Sequence, residues 1–193
     1  MTTIVYADGV FAWDTQATEG DRKRSNFKKV FSNEGVVFGV AGITRVGKLL
    51  QFADIPNVPA YDHEVYPVEL AEGYLVLKLI PFIRNLIKDA GYQEEDGSVS
   101  KNNYFVWIKG HCFYLGVDFN HTIIDEFDAI GSGSGYALGA LAAGSGIKDA
   151  VLIASSFSNG TNDVVYTGKA EDISCGNFQT HQQTNLEPTD TVI

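Results

Sequence analysis

The sequence predicts an α+β domain in which two antiparallel sheets pack face to face and helices cover the outer faces. Three observations lead there. Strands come in pairs across tight turns at Asp8-Gly9, Asn33-Glu34-Gly35 and Lys109-Gly110, and short Gly-containing turns of this kind join antiparallel neighbours. The order along the chain is strand pairs, helices, strand pairs, helices, whereas a doubly wound parallel sheet requires strands and helices to alternate singly. Finally, 193 residues, 45% of them hydrophobic, with twelve Phe, nine Tyr and two Trp, suffice for one core of ordinary size.

In chain order, Thr3 to Ala7 and Val10 to Ala17 read as the first strand pair, and Phe27 to Ser32 and Val36 to Ala41 as the second. A short helix is expected from Thr44 to Phe52. Residues 55–67 hold three of the five prolines and read as a loop. Leu70 to Ala90 is apolar at helical spacing, with Gly91 as a stop and Pro81 expected to kink or split it. After a polar loop from Gln93 to Asn103, Tyr104 to Ile108 and Cys112 to Val117 form another pair. Ile123 to Ile130 then leads into Gly131-Ser132-Gly133-Ser134-Gly135. Two helices follow, Tyr136 to Ala143 and Ile147 to Phe157, broken at Gly144-Ser145-Gly146, and Val164 to Thr167 is a last strand. The domain is expected over residues 1–172, with 173–193 a polar, weakly ordered tail.

Charge and cysteine usage exclude several functions. Fourteen basic against 24 acidic side chains give a net charge of −10, which repels phosphate backbones and anionic lipid, so neither nucleic acid nor a membrane surface is an expected partner. The most apolar stretch, Tyr74 to Ile83, contains Lys78 and Pro81 and falls short of the roughly 20 residues of a membrane span. The first residues carry no basic, apolar signal pattern. Cys112 and Cys175 form neither a CxxC pair nor a disulfide framework, which suits a reducing cytoplasm. The four histidines lack metal-ligand spacing, so zinc is not expected, and no organic cofactor is either.

Three stretches invite a chemical reading. Gly42 to Leu49 matches the phosphate-loop spacing GxxxxGK except that Leu49 stands where Ser or Thr must ligate Mg²⁺, leaving a nucleotide-binding protein as a weak alternative. Gly131 to Gly135 is spaced GxGxG, unlike a dinucleotide fingerprint, and offers hydroxyls at a tight turn. Met1-Thr2 is the third: a small second residue permits removal of the initiator methionine, leaving a threonine whose amine and hydroxyl sit on adjacent carbons. The amine then serves as general base for its own hydroxyl; with a pKa of ~7.7–8.0 it is neutral in roughly a tenth or more of molecules at pH 7.

Thr2-Thr3-Ile4-Val5, Asp14-Thr15-Gln16-Ala17-Thr18, Lys28-Lys29-Val30, Ala41-Gly42 and Ala129-Ile130-Gly131-Ser132-Gly133 occur in one order, and through them the chain, from Thr2 to about Asn162, resembles the proteasome β-type and HslV threonine peptidases. The resemblance implies the four-layer α/β/β/α sandwich of N-terminal-nucleophile hydrolases. It implies Thr2 as nucleophile, exposed by loss of Met1, with Asp14 and Lys29 beside it. A buried Lys29 ammonium would keep the amine neutral by like-charge repulsion, and Asp14 would hold that ammonium in place. Strand alternation turns only one of Lys28 and Lys29 inward. Gly42 would present its N–H to the oxyanion, and Ser132 would bond the terminal amine.

Ile153 to Asn162 is similar to an HslV segment that holds Na⁺ or another hard cation through backbone carbonyls, here at Ser155, Ser158 and Thr161. The implied partners are copies of the chain in a ring of hexamer or dodecamer type, an AAA+ ATPase unfoldase of the HslU type, and unfolded polypeptides as substrates. Residues 44–67, with Arg45, Lys48 and the proline-rich loop, depart from the family's pattern. The expected activity is peptide-bond hydrolysis; a catalytically inactive ring-forming subunit, with Met1 retained, is the alternative.

Overall fold

The computed structural model describes residues 2–19, 22–24, 27–92, 101–157 and 164–177. Strands β1 (Ile4–Ala7) and β2 (Val10–Asp14) form a hairpin at the centre of a four-stranded sheet, flanked by β10 (Phe127–Ile130) beside β1 and β11 (Val165–Lys169) beside β2. The second sheet has five strands in the order β5 (Val30–Asn33), β6 (Val36–Ala41), β7 (Asn103–Ile108), β8 (His111–Leu115), β9 (His121–Ile123). Every pairing is antiparallel. A short separate ribbon joins β3 (Ala17–Glu19) to β4 (Arg22–Arg24).

Alternation along the strands builds the layers. Ile4, Tyr6, Phe11 and Trp13 of one sheet meet Val37, Phe105, Trp107 and Cys112 of the other in the central core. The opposite faces carry the complementary set. Phe38, Val40, Tyr104 and Val106 pack on α1 (Thr44–Phe52) and on the long helix made of α2 (Val68–Tyr74), a π-helical turn (Leu75–Leu79) and α3 (Ile80–Asp89). Val5, Ala12 and Ala129 pack on α4 (Ser134–Ala142) and α5 (Ile147–Phe157). The result is the α/β/β/α order the sequence led us to expect. Among the described residues no helix is long and apolar enough to cross a membrane.

Four local departures have physical causes. The strand expected from Val10 to Ala17 stops at Asp14, because the Asp14 carboxylate accepts the N–H of Gln16 at 3.0 Å; this Asx turn lifts the chain out of the sheet. The strand expected from Ile123 to Ile130 is two strands in different sheets, with 124–126 crossing between them. Pro81 does not break its helix. It lies in the first turn of α3, directly after a π-helical turn that opens the backbone where a proline would crowd the carbonyl four residues back. At the far end the fold runs a little past Asp172: α6 (Ala170–Ser174) packs Ile173 into the central core, while 178–193 lie outside the described residues.

Phe105 is fully buried between the sheets and touches the rings of Tyr6 and Phe11. Phe105→Ala is expected to cost about 3–5 kcal/mol in urea unfolding, whereas Phe52→Ala, at a position 80% exposed, stays within about 0.5 kcal/mol.

Candidate active site

The turn that ends β2 does more than close a strand. Asp14 is fully buried, and its two carboxylate oxygens take four hydrogen bonds. Oδ1 accepts the N–H of Thr3 at 2.7 Å and the Lys29 ammonium at 2.8 Å; Oδ2 accepts the N–H of Gln16 at 3.0 Å and the same ammonium at 2.8 Å. Lys29, immediately before β5, is 2% exposed, while its neighbour Lys28 faces solvent. Burial pushes Asp14 above and Lys29 below their ordinary values, both toward loss of charge. The bidentate pairing and, at Asp14, the two backbone donors oppose that drift. The pair spans the two sheets and ties down the backbone next to Thr2.

On the other side of Thr2 lies the turn after β10. The Thr2 N–H donates to the Ser132 hydroxyl at 3.3 Å, and the Gly133 N–H donates back to the Thr2 carbonyl at 3.4 Å. Gly131 makes this approach possible: its φ is +99°, and a Cβ there would overlap the Thr2 carbonyl.

Gly42 closes the arrangement from the end of β6. It is exposed at φ +134°, and a Cβ would lie 2.5 Å from the Lys101 carbonyl oxygen and 2.9 Å from Asn102 Cα. Thr2, Gly42, Lys101, Gly131 and Ser132 line one open cleft of about 270 Å³. A much smaller niche behind it brings Thr2 and Gly42 together with Lys29, Phe31, Val40 and Thr44. Two hydroxyls and the Gly42 backbone thus meet in one cleft, with the buried ammonium in the niche that shares Thr2 and Gly42 with it, a set suited to acyl transfer.

Thr2, Asp14, Lys29, Gly42 and Ser132 are therefore brought together. Of the three cation positions, Ser155 lies in the last turn of α5 with its hydroxyl donating to the Val151 carbonyl at 2.9 Å; Ser158 and Thr161 lie outside the described residues. Among the described residues no cluster of three or more His, Cys, Asp or Glu gathers.

The phosphate-loop alternative fails on geometry. α1 begins at Thr44, so the stretch that would wrap a phosphate is the first turn of a helix. Gly47 is buried against Val40 and Phe31, and Lys48 donates to Gln51 at 3.0 Å with its ammonium 5.5 Å from the Phe27 ring. One residue of the site escaped the sequence reading altogether. Asn102, read as the end of a polar loop, is fully buried and bonds both backbone groups of Ile43. The only trace in the sequence is a pair of asparagines abutting an apolar strand.

No family model matches the sequence, and no curated protein matches it. Among solved structures the chain is similar to Thiobacillus denitrificans BPH, with 22% identity and a TM-score of 0.66 over 86% of this chain and 95% of that one. The same protein in complex with epoxomicin gives 22% identity and 0.66 over 86% and 96%. Eukaryotic HslV from Trypanosoma brucei gives 18% identity and 0.54 over 86% and 98%. The likeness shows the fold: this chain has the N-terminal-nucleophile hydrolase sandwich of the HslV-type, proteasome-like peptidases.

Removing one partner of a buried ion pair leaves an uncompensated charge. Lys29→Ala is expected to lower stability by about 3–5 kcal/mol in chemical unfolding, and Lys28→Ala by no more than about 0.5 kcal/mol.

Proposed function

We propose that this chain is a threonine peptidase of the HslV and proteasome β type, with Thr2 as nucleophile once Met1 is removed. The observation that carries this reading is the buried Asp14–Lys29 pair bonded to the backbone next to Thr2. A buried ion pair is expensive to hold, and one beside a cleft with a hydroxyl and a glycine amide is how proton affinities at a reacting group are tuned.

With Met1 gone, the Thr2 amine takes the proton of its own hydroxyl, helped by Ser132, whose Oγ already lies 3.3 Å from Thr2 N. The hydroxyl oxygen attacks the scissile carbonyl, and the oxyanion is met by the Gly42 N–H. The protonated amine then gives its proton to the departing amine of the substrate, and water hydrolyses the ester by the same route in reverse. Lys29 stays charged throughout, disfavouring protonation of the Thr2 amine; Asp14 fixes it in place.

The substrates are polypeptides in extended form, since the cleft is open and lined largely by backbone and small side chains. A homo-oligomeric ring of hexamer or dodecamer type, fed by an AAA+ unfoldase of the HslU type in the cytoplasm, belongs to the same reading. Phe52, Leu77 and Phe157, between 67% and 80% exposed on the helical layers, supply apolar surface of the kind subunits cover. A hard cation on the carbonyls of Ser155, Ser158 and Thr161 is also part of it, and no step above passes through that ion.

The direct test is intact-mass spectrometry with peptide cleavage. The purified chain is expected one methionine lighter than its sequence, to cleave fluorogenic peptides and to gain the mass of epoxomicin; Thr2→Ala neither cleaves nor gains that mass. A retained Met1, or cleavage surviving in Thr2→Ala, overturns the assignment. The pH profile has two limbs. Activity rises as the Thr2 amine loses its proton, near the ordinary ~7.7–8.0 of an α-amine or below it. It falls again as Lys29 loses its own, because the buried Asp14 carboxylate that holds the backbone next to Thr2 is then left without its counter-charge; this comes at a pH below the ordinary lysine value of 10.5 because burial lowers that group. Rates measured from pH 5 to 11 in the folded protein check both limbs.

A further inference from the structure

Gly42 is held from both sides by consecutive residues of one segment. Before it, Ala41 pairs with Asn103 at the last rung of the β6–β7 ladder. After it, the side chain of Asn102 closes on Ile43: Oδ1 accepts the Ile43 N–H at 3.0 Å, and Nδ2 donates to the Ile43 carbonyl at 3.2 Å. A side-chain amide thereby imitates one more rung of the sheet, just where the main chain leaves it to begin α1. Behind Gly42, the Lys101 carbonyl and Asn102 Cα occupy the space any side chain would need.

This matters because a glycine at positive φ is the residue least committed to one amide direction. A donor serves an oxyanion only if it already points where charge develops. The ladder alone fixes the Ala41 side. Without a second anchor at Ile43, the Ala41–Gly42 peptide plane, which carries the N–H, can flip by rotation about Ala41 ψ compensated at Gly42 φ and turn that N–H away from the cleft. Asn102 is fully buried, across 59 residues of sequence from Ile43. Its amide meets a donor and an acceptor of one residue at once, the condition under which a buried polar side chain specifies a single geometry.

We propose that Asn102 is a positioning residue that locks the Gly42 amide toward the Thr2 cleft and so completes the oxyanion site. This rests on the peptidase reading above. Asn102 touches no substrate; it acts through Ile43 and Gly42.

The test compares wild type, Thr2→Ala, Asn102→Ala and Asn102→Asp for peptide cleavage, with near-UV circular dichroism as the check of folding. Binding is measured for a peptide aldehyde, whose adduct carries an oxyanion-like oxygen, and for the matching peptide alcohol, which forms no adduct. Asn102→Ala is expected to lose about 10²-fold in kcat, the scale of a roughly 1 Å misplacement, with KM little changed. Aldehyde affinity falls in parallel while alcohol affinity holds. Asn102→Asp keeps the acceptor for Ile43 N–H and regains a donor only when protonated, so its rate relative to wild type at the same pH rises as pH falls.

If Asn102→Ala folds and retains wild-type kcat and aldehyde affinity, the positioning role is wrong. Equal losses of aldehyde and alcohol binding also overturn it, since they mark general damage. If Asn102→Ala does not fold, Asn102→Asp decides: a rate ratio flat with pH refutes the role. A wild type that does not cleave, or a Thr2→Ala variant that does, defeats the peptidase reading and this inference with it, whereas a dead Thr2→Ala beside an unaffected Asn102→Ala defeats this inference alone.

Discussion

A single carboxylate organises the centre of this molecule. Asp14 ends the central hairpin of one sheet, Lys29 opens the edge strand of the other, and their bidentate contact at 2.8 Å joins the two where neither side chain meets water. An isolated charge in that position would be intolerable, so each group requires the other, and Asp14 takes two backbone N–H groups besides. One of those donors belongs to Thr3, which fixes the start of β1; the other belongs to Gln16 and turns the chain out of the sheet. Strand end, sheet-to-sheet registration and the placing of Thr2 are therefore consequences of one interaction.

Around this pair the cleft is built mostly from backbone. The turn at 131–133 lies against the Thr2 carbonyl because Gly131 brings no side chain between them. Gly42 lines the cleft, and the chain behind it leaves no room for a Cβ. Small residues at close approaches, rather than an array of charged side chains, shape this cleft. A site of this design tolerates wide sequence change in its surroundings, which accords with an extensive structural likeness at only 18–22% identity.

Much of the architecture was legible because its signals are local. The turns at Asp8-Gly9 and Lys109-Gly110, the helix from Thr44 to Phe52 and that from Ile147 to Phe157 stand where the pattern put them. The misread elements are those where a distant contact overrides local preference. Nothing between Val10 and Ala17 announces that Asp14 will bend the strand by capping Gln16. Pro81 reads as a helix breaker until a preceding π-helical turn is seen to make room for it. GxxxxGK, already a poor phosphate loop with Leu49 at its last position, is wound into α1 from Thr44 onward.

What the sequence determined by itself is the period of its strands and helices and the order of its blocks, while its resemblance to the threonine peptidases pointed to Thr2, Asp14, Lys29, Gly42 and Ser132. Only the tertiary structure actually buries Lys29 rather than Lys28 and brings the Thr2 amide to Ser132, 130 residues away, both of which the resemblance had implied. It also decided that Asn102, unremarkable in the chain, grips Ile43. The reason is physical. Periodicity and turn preference are properties of a few adjacent residues, while burial of a charge and the direction of an amide are set by packing between segments that only the folded chain brings together.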